Sequence, residues 1–112
     1  MAKYFKYTAD AADQVLIAKI SDRGSYTKGT RVDNPGKISS IRITNSHATQ
    51  HNLVELYLDD DTTHYVVAKT KIPAMTSLLL DEDLSYDGAK YDLKFTTNDD
   101  GGSSPLITVI IK

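Results

Sequence analysis

Apolar residues along this chain recur at every second position more often than at helical spacing, and Gly, Pro, Asn and Asp clusters interrupt them. The clearest case is residues 90–97, where Tyr91, Leu93 and Phe95 alternate with charged neighbours. Such alternation is typical of a strand with one buried face and one solvated face. Residues 41–44 show it as well, so the chain is predicted to be all-β.

Turn residues set the limits of further strands. Residues 54–58 and 64–69 flank an aspartate-rich turn and predict a hairpin. Pro73 ends the second arm because it lacks an amide hydrogen, and residues 75–80 begin a new short strand. The last strand, residues 106–111, is apolar on both parities, which is typical of a strand that is covered on both sides or that offers one face to a partner.

The first third of the chain is less regular. Residues 14–20 are again apolar on both parities, whereas Thr8 and the alanines after it predict about one turn of helix over 8–13. Residues 21–37 are rich in Gly and poor in apolar groups, which indicates a long polar loop or arm. We therefore expect one antiparallel β-sandwich domain over residues 1–112, jelly-roll or Ig-like, with about seven or eight strands. Residues 1–37 would supply N-terminal strands and the arm, and 38–112 the core sandwich.

Composition narrows the possible functions. The 112 residues contain no cysteine, which excludes disulfides, thiolate metal sites and cysteine nucleophiles. A net charge of −2 argues against nucleic acid as a partner, and the apolar runs are far shorter than the roughly 18 residues of a membrane helix. Residues 1–51 carry +4 and residues 52–112 carry −6. Opposite charges on neighbouring copies would set the register of an assembly, although aspartate also simply favours turns.

Candidate chemistry is sparse. His47 and His51 are too far apart in an extended chain to share one metal ion, and His64 follows them only after another strand. Acidic clusters at turns leave a calcium site as a minor alternative, but none has the spacing of an EF-hand loop. Nucleophile elbows and phosphate loops are absent from the sequence. We expect no catalytic, cofactor-binding or metal-binding residues, and a protein that is not an enzyme.

Tyrosine supplies seven of the nine aromatic residues, and it is enriched where protein surfaces meet because its ring is apolar and its tip is polar. Three of these tyrosines lie in segments with little core pattern, one lies on the outer parity of its strand, and basic residues accompany one of them in the arm. The equally weighted alternative is that the tyrosines cover the ends of the sandwich. The interface candidates are Tyr4, Tyr7, Arg23, Tyr26, Lys28, Arg31 and Tyr57.

A series of short motifs follows in a fixed order over residues 38–112. They are IRITN (41–45), VELYL (54–58), HYVV (64–67), KIPAMTSLLL (71–80), LSYD (84–87), YDLK (91–94) and LITVIIK (106–112). In this order they resemble small virion proteins of tailed bacteriophages, especially of cyanophages. The likeness covers about two thirds of the chain. It departs from the pattern at Met75, where a glycine is expected.

The resemblance implies a β-sandwich that serves as an assembly block of the virion. The expected role is capsid decoration or cementing, with many copies, or a homo-oligomer, bound to the major capsid protein or other virion proteins. A neck, tail or baseplate component is the alternative within this class. A carbohydrate-binding or calcium-dependent host-binding module is the alternative from another class, and a small hydrolase is disfavoured by the missing motifs.

Overall fold

The computed structural model describes residues 3–19, 37–81, 83–98 and 105–112. Strands account for all the regular secondary structure within these ranges, and no helix forms there. In chain order the strands are β1 (Lys3–Tyr7), β2 (Ala11–Ile17), β3 (Lys37–Ile38), β4 (Ile41–Asn45), β5 (Asn52–Asp59), β6 (His64–Ile72), β7 (Thr76–Leu80), β8 (Leu84–Ser85), β9 (Asp92–Asn98) and β10 (Ile107–Ile111).

The strands form two four-stranded sheets, in the orders β1-β10-β4-β7 and β2-β9-β5-β6, and a two-stranded ribbon of β3 and β8. Neighbouring strands are antiparallel throughout. The prediction of an all-β antiparallel sandwich is confirmed. The eight strands of the two large sheets match the expected number.

The strand pairing shows how the sandwich is made. The first five strands pair with the last five in reverse order: β1 with β10, β2 with β9, β3 with β8, β4 with β7, and β5 with β6. The chain is thus one long antiparallel ribbon that turns back at residues 60–63. Curling of this ribbon adds the pairs β10 with β4 and β5 with β9. Eight strands wrapped in this way form a jelly roll rather than an Ig-like sandwich.

The core lies between the two sheets and contains the inward parity of each strand. Leu93 and Phe95 of β9 are 0% exposed, as the alternation of residues 90–97 predicts. The Tyr7 ring of β1 stacks on Phe95 with a centroid separation of 5.4 Å, so it joins the two sheets. In β10 the buried parity is Ile107, Val109 and Ile111. Ile110 therefore points outward.

The helical turn expected over residues 8–13 is wrong. β2 begins at Ala11 and pairs with β9 through a register that shifts twice, and Asp13 adopts a φ of 52°. The helix preference of alanine is worth only tenths of a kcal/mol per residue. The ladder with β9 and the burial of Leu16 and Ile17 outweigh it.

The loop predicted over residues 21–37 lies outside the described residues except at its last position. Lys37 belongs to β3, where it pairs with Ser85 of β8. In the part of the chain that is described, no helix has the length and apolar character needed to cross a membrane.

Candidate functional site

The outer face of the β1-β10-β4-β7 sheet carries a row of side chains that crosses all four strands. Tyr4 pairs with Ile110, Ile110 with Arg42, and Arg42 with Leu79. Tyr4 is 72% exposed and Leu79 is 49% exposed. We call these four residues the outer row. Three of them are apolar or aromatic, Ile110 is half-buried, and exposed apolar side chains such as those at the two ends are typical of a surface that binds another protein.

Polar side chains border the outer row. On one side the next register row is Lys6, Thr108, Thr44 and Ser77, in which Thr44 Oγ1 and Ser77 Oγ share a hydrogen bond of 2.8 Å. On the other side, Ser40 and Lys112 complete a shallow depression of about 160 Å³ with members of the outer row. An apolar centre with a polar rim is the usual anatomy of a protein interface.

The outer face of the β2-β9-β5-β6 sheet is different, because its polar groups are bonded to one another. Tyr57 of β5 is 1% exposed although it lies on the outer parity. Its hydroxyl donates to the Asp13 carboxylate, and the His64 imidazole stacks on its ring with centroids 4.6 Å apart. Burial and the nearby Asp13 carboxylate raise the pKa of Tyr57 to about 12.

An ion pair lies beside Tyr57. Lys94 Nζ donates to Asp59 Oδ2 over 2.6 Å, and His64 Nε2 lies 3.4 Å from Asp59 Oδ1. The Lys94 ammonium is the main reason why the pKa of Asp59 lies below its ordinary value, and Asp59 in turn raises the pKa of Lys94. Asp59 is only 4% exposed. These charges are paired within the chain, whereas Val15 and Val66, which flank Lys94 and Tyr57 in the strand register, are 48% and 55% exposed.

A groove opens between the edges of the two sheets, where β6 and β7 lie. It has a volume of about 590 Å³. Among the described residues, its walls are aliphatic with two carboxylates at the rim, and none of these lining side chains is aromatic. The lining residues are Ile41, Val67, Leu79, Leu80, Asp81, Asp83 and Leu84.

The predicted interface residues fall into three groups. Tyr4 is exposed in the outer row. Tyr7 is half-buried against the core, and Tyr57 is covered by its own chain. The other four, Arg23, Tyr26, Lys28 and Arg31, lie outside the described residues. The structure does not bring these three tyrosines onto one surface. Tyr4 faces the solvent, Tyr7 packs against the core, and Tyr57 lies on the outer face of the other sheet.

Two of the histidines and the acidic turn between β5 and β6 make contacts within the chain. His47 Nδ1 accepts hydrogen bonds from the amides of Thr49 and Gln50, at 3.1 and 3.0 Å. Asp60 Oδ1 accepts bonds from Thr62 and Thr63 and so builds the turn between β5 and β6. Within the described ranges, no group of three or more His, Asp or Glu side chains could hold a metal ion.

Sequence reasoning did not single out Leu79, Arg42 and Ile110 as surface residues. Two signals were available. Residues 78–80 are three leucines in one strand, so at least one of them must face outward. The last strand is apolar on both parities, and this pattern already pointed to an apolar outer face. The cross-strand register that joins these residues into a row is a tertiary feature.

No family model matches the chain, and no curated protein is significantly similar to it. Among solved structures, the NLP core of Drosophila, a structure concerned with pentamer formation and histone binding, has a TM-score of 0.46 at 16% identity and covers 100% of this chain and 96% of its own. The nucleoplasmin-like N-terminal domain of Drosophila FKBP39 has a TM-score of 0.44 at 14% identity, covering 99% and 85%.

Hydroxypropylphosphonic acid epoxidase from S. wedmorenis, in complex with fosfomycin, has a TM-score of 0.38 at 10% identity. The match covers 97% of this chain but only 41% of the enzyme. Likenesses at these TM-scores carry no conclusion about function.

Proposed function

We propose that the chain is a bacteriophage virion structural protein that decorates the capsid and cements the lattice of the major capsid protein. The proposal includes a location in the virion, a non-enzymatic role and a presence in many copies. The observation that carries it is the outer row, which crosses the whole sheet and has an exposed Tyr4 at one end and an exposed Leu79 at the other. The order of motifs over residues 38–112 supports the phage class.

The outer row fits a cementing role because a flat sheet face can lie across a junction between neighbouring subunits. Tyr4 and Leu79 stand at opposite ends of the row, on the two edge strands of the sheet. A partner that covers the row also covers Arg42, whose guanidinium can donate to carbonyl or carboxylate oxygens at the rim. Each copy would contribute a modest contact, and repetition over a symmetric shell would turn that contact into particle stability.

The copy number of the chain in purified virions tests the proposal. Quantitative mass spectrometry against the major capsid protein is expected to give one copy per capsid subunit, or a fixed simple fraction of that number. A few copies per particle, in multiples of about six or twelve, would replace decoration by the neck, tail or baseplate alternative. Absence from the virion would overturn the proposal.

A matched pair of variants connects the copy number to the outer row. Tyr4→Glu places a charge in the row and is expected to reduce incorporation into particles, since a buried unpaired charge opposes binding. Tyr65→Glu is the control, because Tyr65 is 50% exposed on the other sheet. Equal incorporation of the two variants would remove the outer row from the proposal.

The groove between β6 and β7 does not favour the carbohydrate-binding alternative. Sugar sites commonly stack their ligand on aromatic faces, whereas the lining of this groove is aliphatic and acidic. A second candidate function therefore has no specific observation behind it.

A further inference from the structure

The shallow depression beside the outer row is lined by two cationic side chains. Its lining residues are Ser40, Arg42, Leu79, Ile110 and Lys112. Arg42 lies on β4 and Lys112 directly follows β10, and these two strands are neighbours at the centre of their sheet. No carboxylate side chain of the described residues lines the depression. It is therefore a positively charged place on a chain whose net charge is −2.

Backbone pairing fixes the relative position of the two cations. Arg42 pairs with Ile110 in the ladder between β4 and β10. Just beyond that ladder, the Lys112 amide donates to the Ser40 carbonyl at 3.0 Å, and the Ser40 amide donates to the Lys112 carbonyl at 3.2 Å. Arg42 and Lys112 are thus diagonal neighbours on one face, at a separation that long side chains can span. Because side chains alternate between the two faces of a strand, Ser40 points the same way as Arg42.

Both cations are open to a partner. The ion pairs of the described residues involve other side chains, and neither the Arg42 guanidinium nor the Lys112 ammonium has a hydrogen bond within that part of the chain. Asp81, which follows β7, lines the other groove and pairs with neither of them. Like charges that are neighbours on one face of a sheet repel each other. An anion bound between them removes this repulsion.

The size and chemistry of the depression favour a carboxylate side chain as that anion. A volume of about 160 Å³ is well below the roughly 300–1,000 Å³ of pockets that enclose a small-molecule ligand, and it suits a single side chain. The planar guanidinium of Arg42 matches a carboxylate in a bidentate geometry. Leu79 and Ile110 provide apolar walls for the methylene groups of an Asp or Glu side chain. A nucleic acid needs a longer basic track than two cations provide.

We propose that this depression binds an Asp or Glu side chain of a partner protein. The Arg42 guanidinium donates to both carboxylate oxygens, Lys112 supplies the second positive charge, and the Ser40 hydroxyl donates a further hydrogen bond. The apolar residues of the outer row surround this charged centre and exclude water from it, which strengthens its hydrogen bonds. The inference names the chemistry that the outer row recognises, and it rests on the proposed function only for the placement of the partner in a virion.

An NMR titration of the full chain tests the site without a virion. Butyrate, which has an aliphatic body and one carboxylate, is expected to shift the amide signals of Ser40 and Arg42 saturably, with a Kd of about 1–10 mM. Butyramide, its uncharged counterpart, should leave them in place at the same ionic strength. Arg42→Gln is expected to raise the Kd for butyrate about tenfold. Lys69→Gln is the control, because it removes the same charge from the other sheet, where the Lys69 side chain is 60% exposed, and it should leave the Kd unchanged.

Three results of the titration would overturn the carboxylate site. They are equal shifts with butyrate and butyramide, no saturation by about 50 mM butyrate, and an unchanged Kd in the Arg42→Gln variant. Dimethyl phosphate carries the same single charge as butyrate and stands for a nucleic-acid backbone. Tighter binding of dimethyl phosphate than of butyrate would assign the depression to a phosphodiester and would likewise overturn the proposal.

Incorporation into particles tests the same residues with the native partner. Arg42→Gln is expected to lower the number of copies per particle about tenfold, and Lys69→Gln less than about twofold. Arg42 is exposed, so the fold should be kept, and thermal unfolding followed by circular dichroism checks this. If the chain is present in virions and both variants are incorporated equally, the carboxylate site is wrong while the proposed function stands. If the chain is absent from virions, the proposed function is wrong and the butyrate titration alone decides the site.

Discussion

Tyr57 and Asp59 lie on the outer parity of β5, yet both are almost fully buried. Side chains from three other elements cover them: Asp13 of the bulged β2, His64 of β6 and Lys94 of β9. Alternation along a strand determines the direction in which a side chain points. Whether that side chain is exposed also depends on whether long side chains from neighbouring strands reach over it. Tyr57 was predicted to be an interface residue because it lies on the outer parity of its strand. Its ring is not freely exposed, because the side chains of its own chain cover it.

The Asp59–Lys94 pair predicts acid sensitivity. The pKa of Asp59 is lowered in the folded state from 3.8, so its stabilising effect is complete above that ordinary value and is lost as the pH falls through the lower folded-state pKa. We expect the free energy of unfolding to decrease below about pH 4 and Asp59→Asn to flatten that decrease. Urea unfolding at a series of pH values measures it.

The exposed Asp81 provides the control for this experiment. Asp81→Asn should leave the acid dependence close to that of the unaltered protein, because Asp81 lies at the surface. An equal flattening by both variants would mean that general charge repulsion, and not the buried pair, governs the acid response.

At the scale of elements, the turn between β6 and β7 contains a residue whose side chain does not suit the backbone conformation there. Pro73 ends β6, and Met75 takes a φ of 57° before β7 begins. This left-handed conformation favours glycine, because a Cβ approaches the following carbonyl oxygen. The resemblance to phage proteins led us to expect glycine at this position, and the backbone supplies the physical reason for that expectation.

Met75→Gly is therefore expected to stabilise the protein. Relief of the left-handed strain is worth about 1–2 kcal/mol, and the added freedom of glycine in the unfolded chain costs about 0.5–1 kcal/mol. The expected net gain is about 0.5–1 kcal/mol in urea unfolding. Met75→Ala keeps the Cβ and should change little, since Met75 is 77% exposed and loses few contacts. A loss of stability in the glycine variant would contradict the strain argument.

At the scale of the whole molecule, the sandwich is one ribbon in which the first half of the chain pairs with the second half in reverse order. Lys3 pairs with Ile111, so the two ends of the described chain lie side by side on neighbouring strands. The turn at residues 60–63 is the other end of the same ribbon. The fold therefore depends mainly on the hydrogen-bonded pairing between the two halves of the chain. Whether the covalent connection between the halves lies at residues 60–63 or at the opposite end of the ribbon matters less.

A circular permutant tests this description. Joining residues 112 and 1 through a short Gly-Ser linker and opening the chain between Asp61 and Thr62 preserves every strand pair. We expect the permutant to keep the sandwich, with native-like circular dichroism and cooperative unfolding. Opening the chain between Leu56 and Tyr57 interrupts β5, which pairs with both β6 and β9, and should abolish folding. Failure of the first permutant with an intact linker would contradict the ribbon description.

The sequence by itself determined most of the strands and their inward faces, because alternation and turn residues are properties of near neighbours in the chain. The strands at residues 41–44 and 90–97, the hairpin around residue 60 and the inward direction of Leu93 and Phe95 were all predictable in this way. The same local reasoning was wrong for residues 8–13, where alanine's weak helix preference competed with a strand partner more than 80 residues away in the chain, as the bond from the Asp13 amide to Thr96 shows.

Only the tertiary structure decided which strands are neighbours, and therefore which side chains share a surface. Jelly-roll and Ig-like sandwiches have the same alternation, so the pattern left both open. The outer row joins residues 4, 110, 42 and 79 through cross-strand register, and the cover over Tyr57 comes from three separate segments. The position of β7 at the edge of its sheet is likewise a result of strand pairing between distant segments. These features arise from long-range pairing, which local patterns of hydrophobicity and turns do not encode.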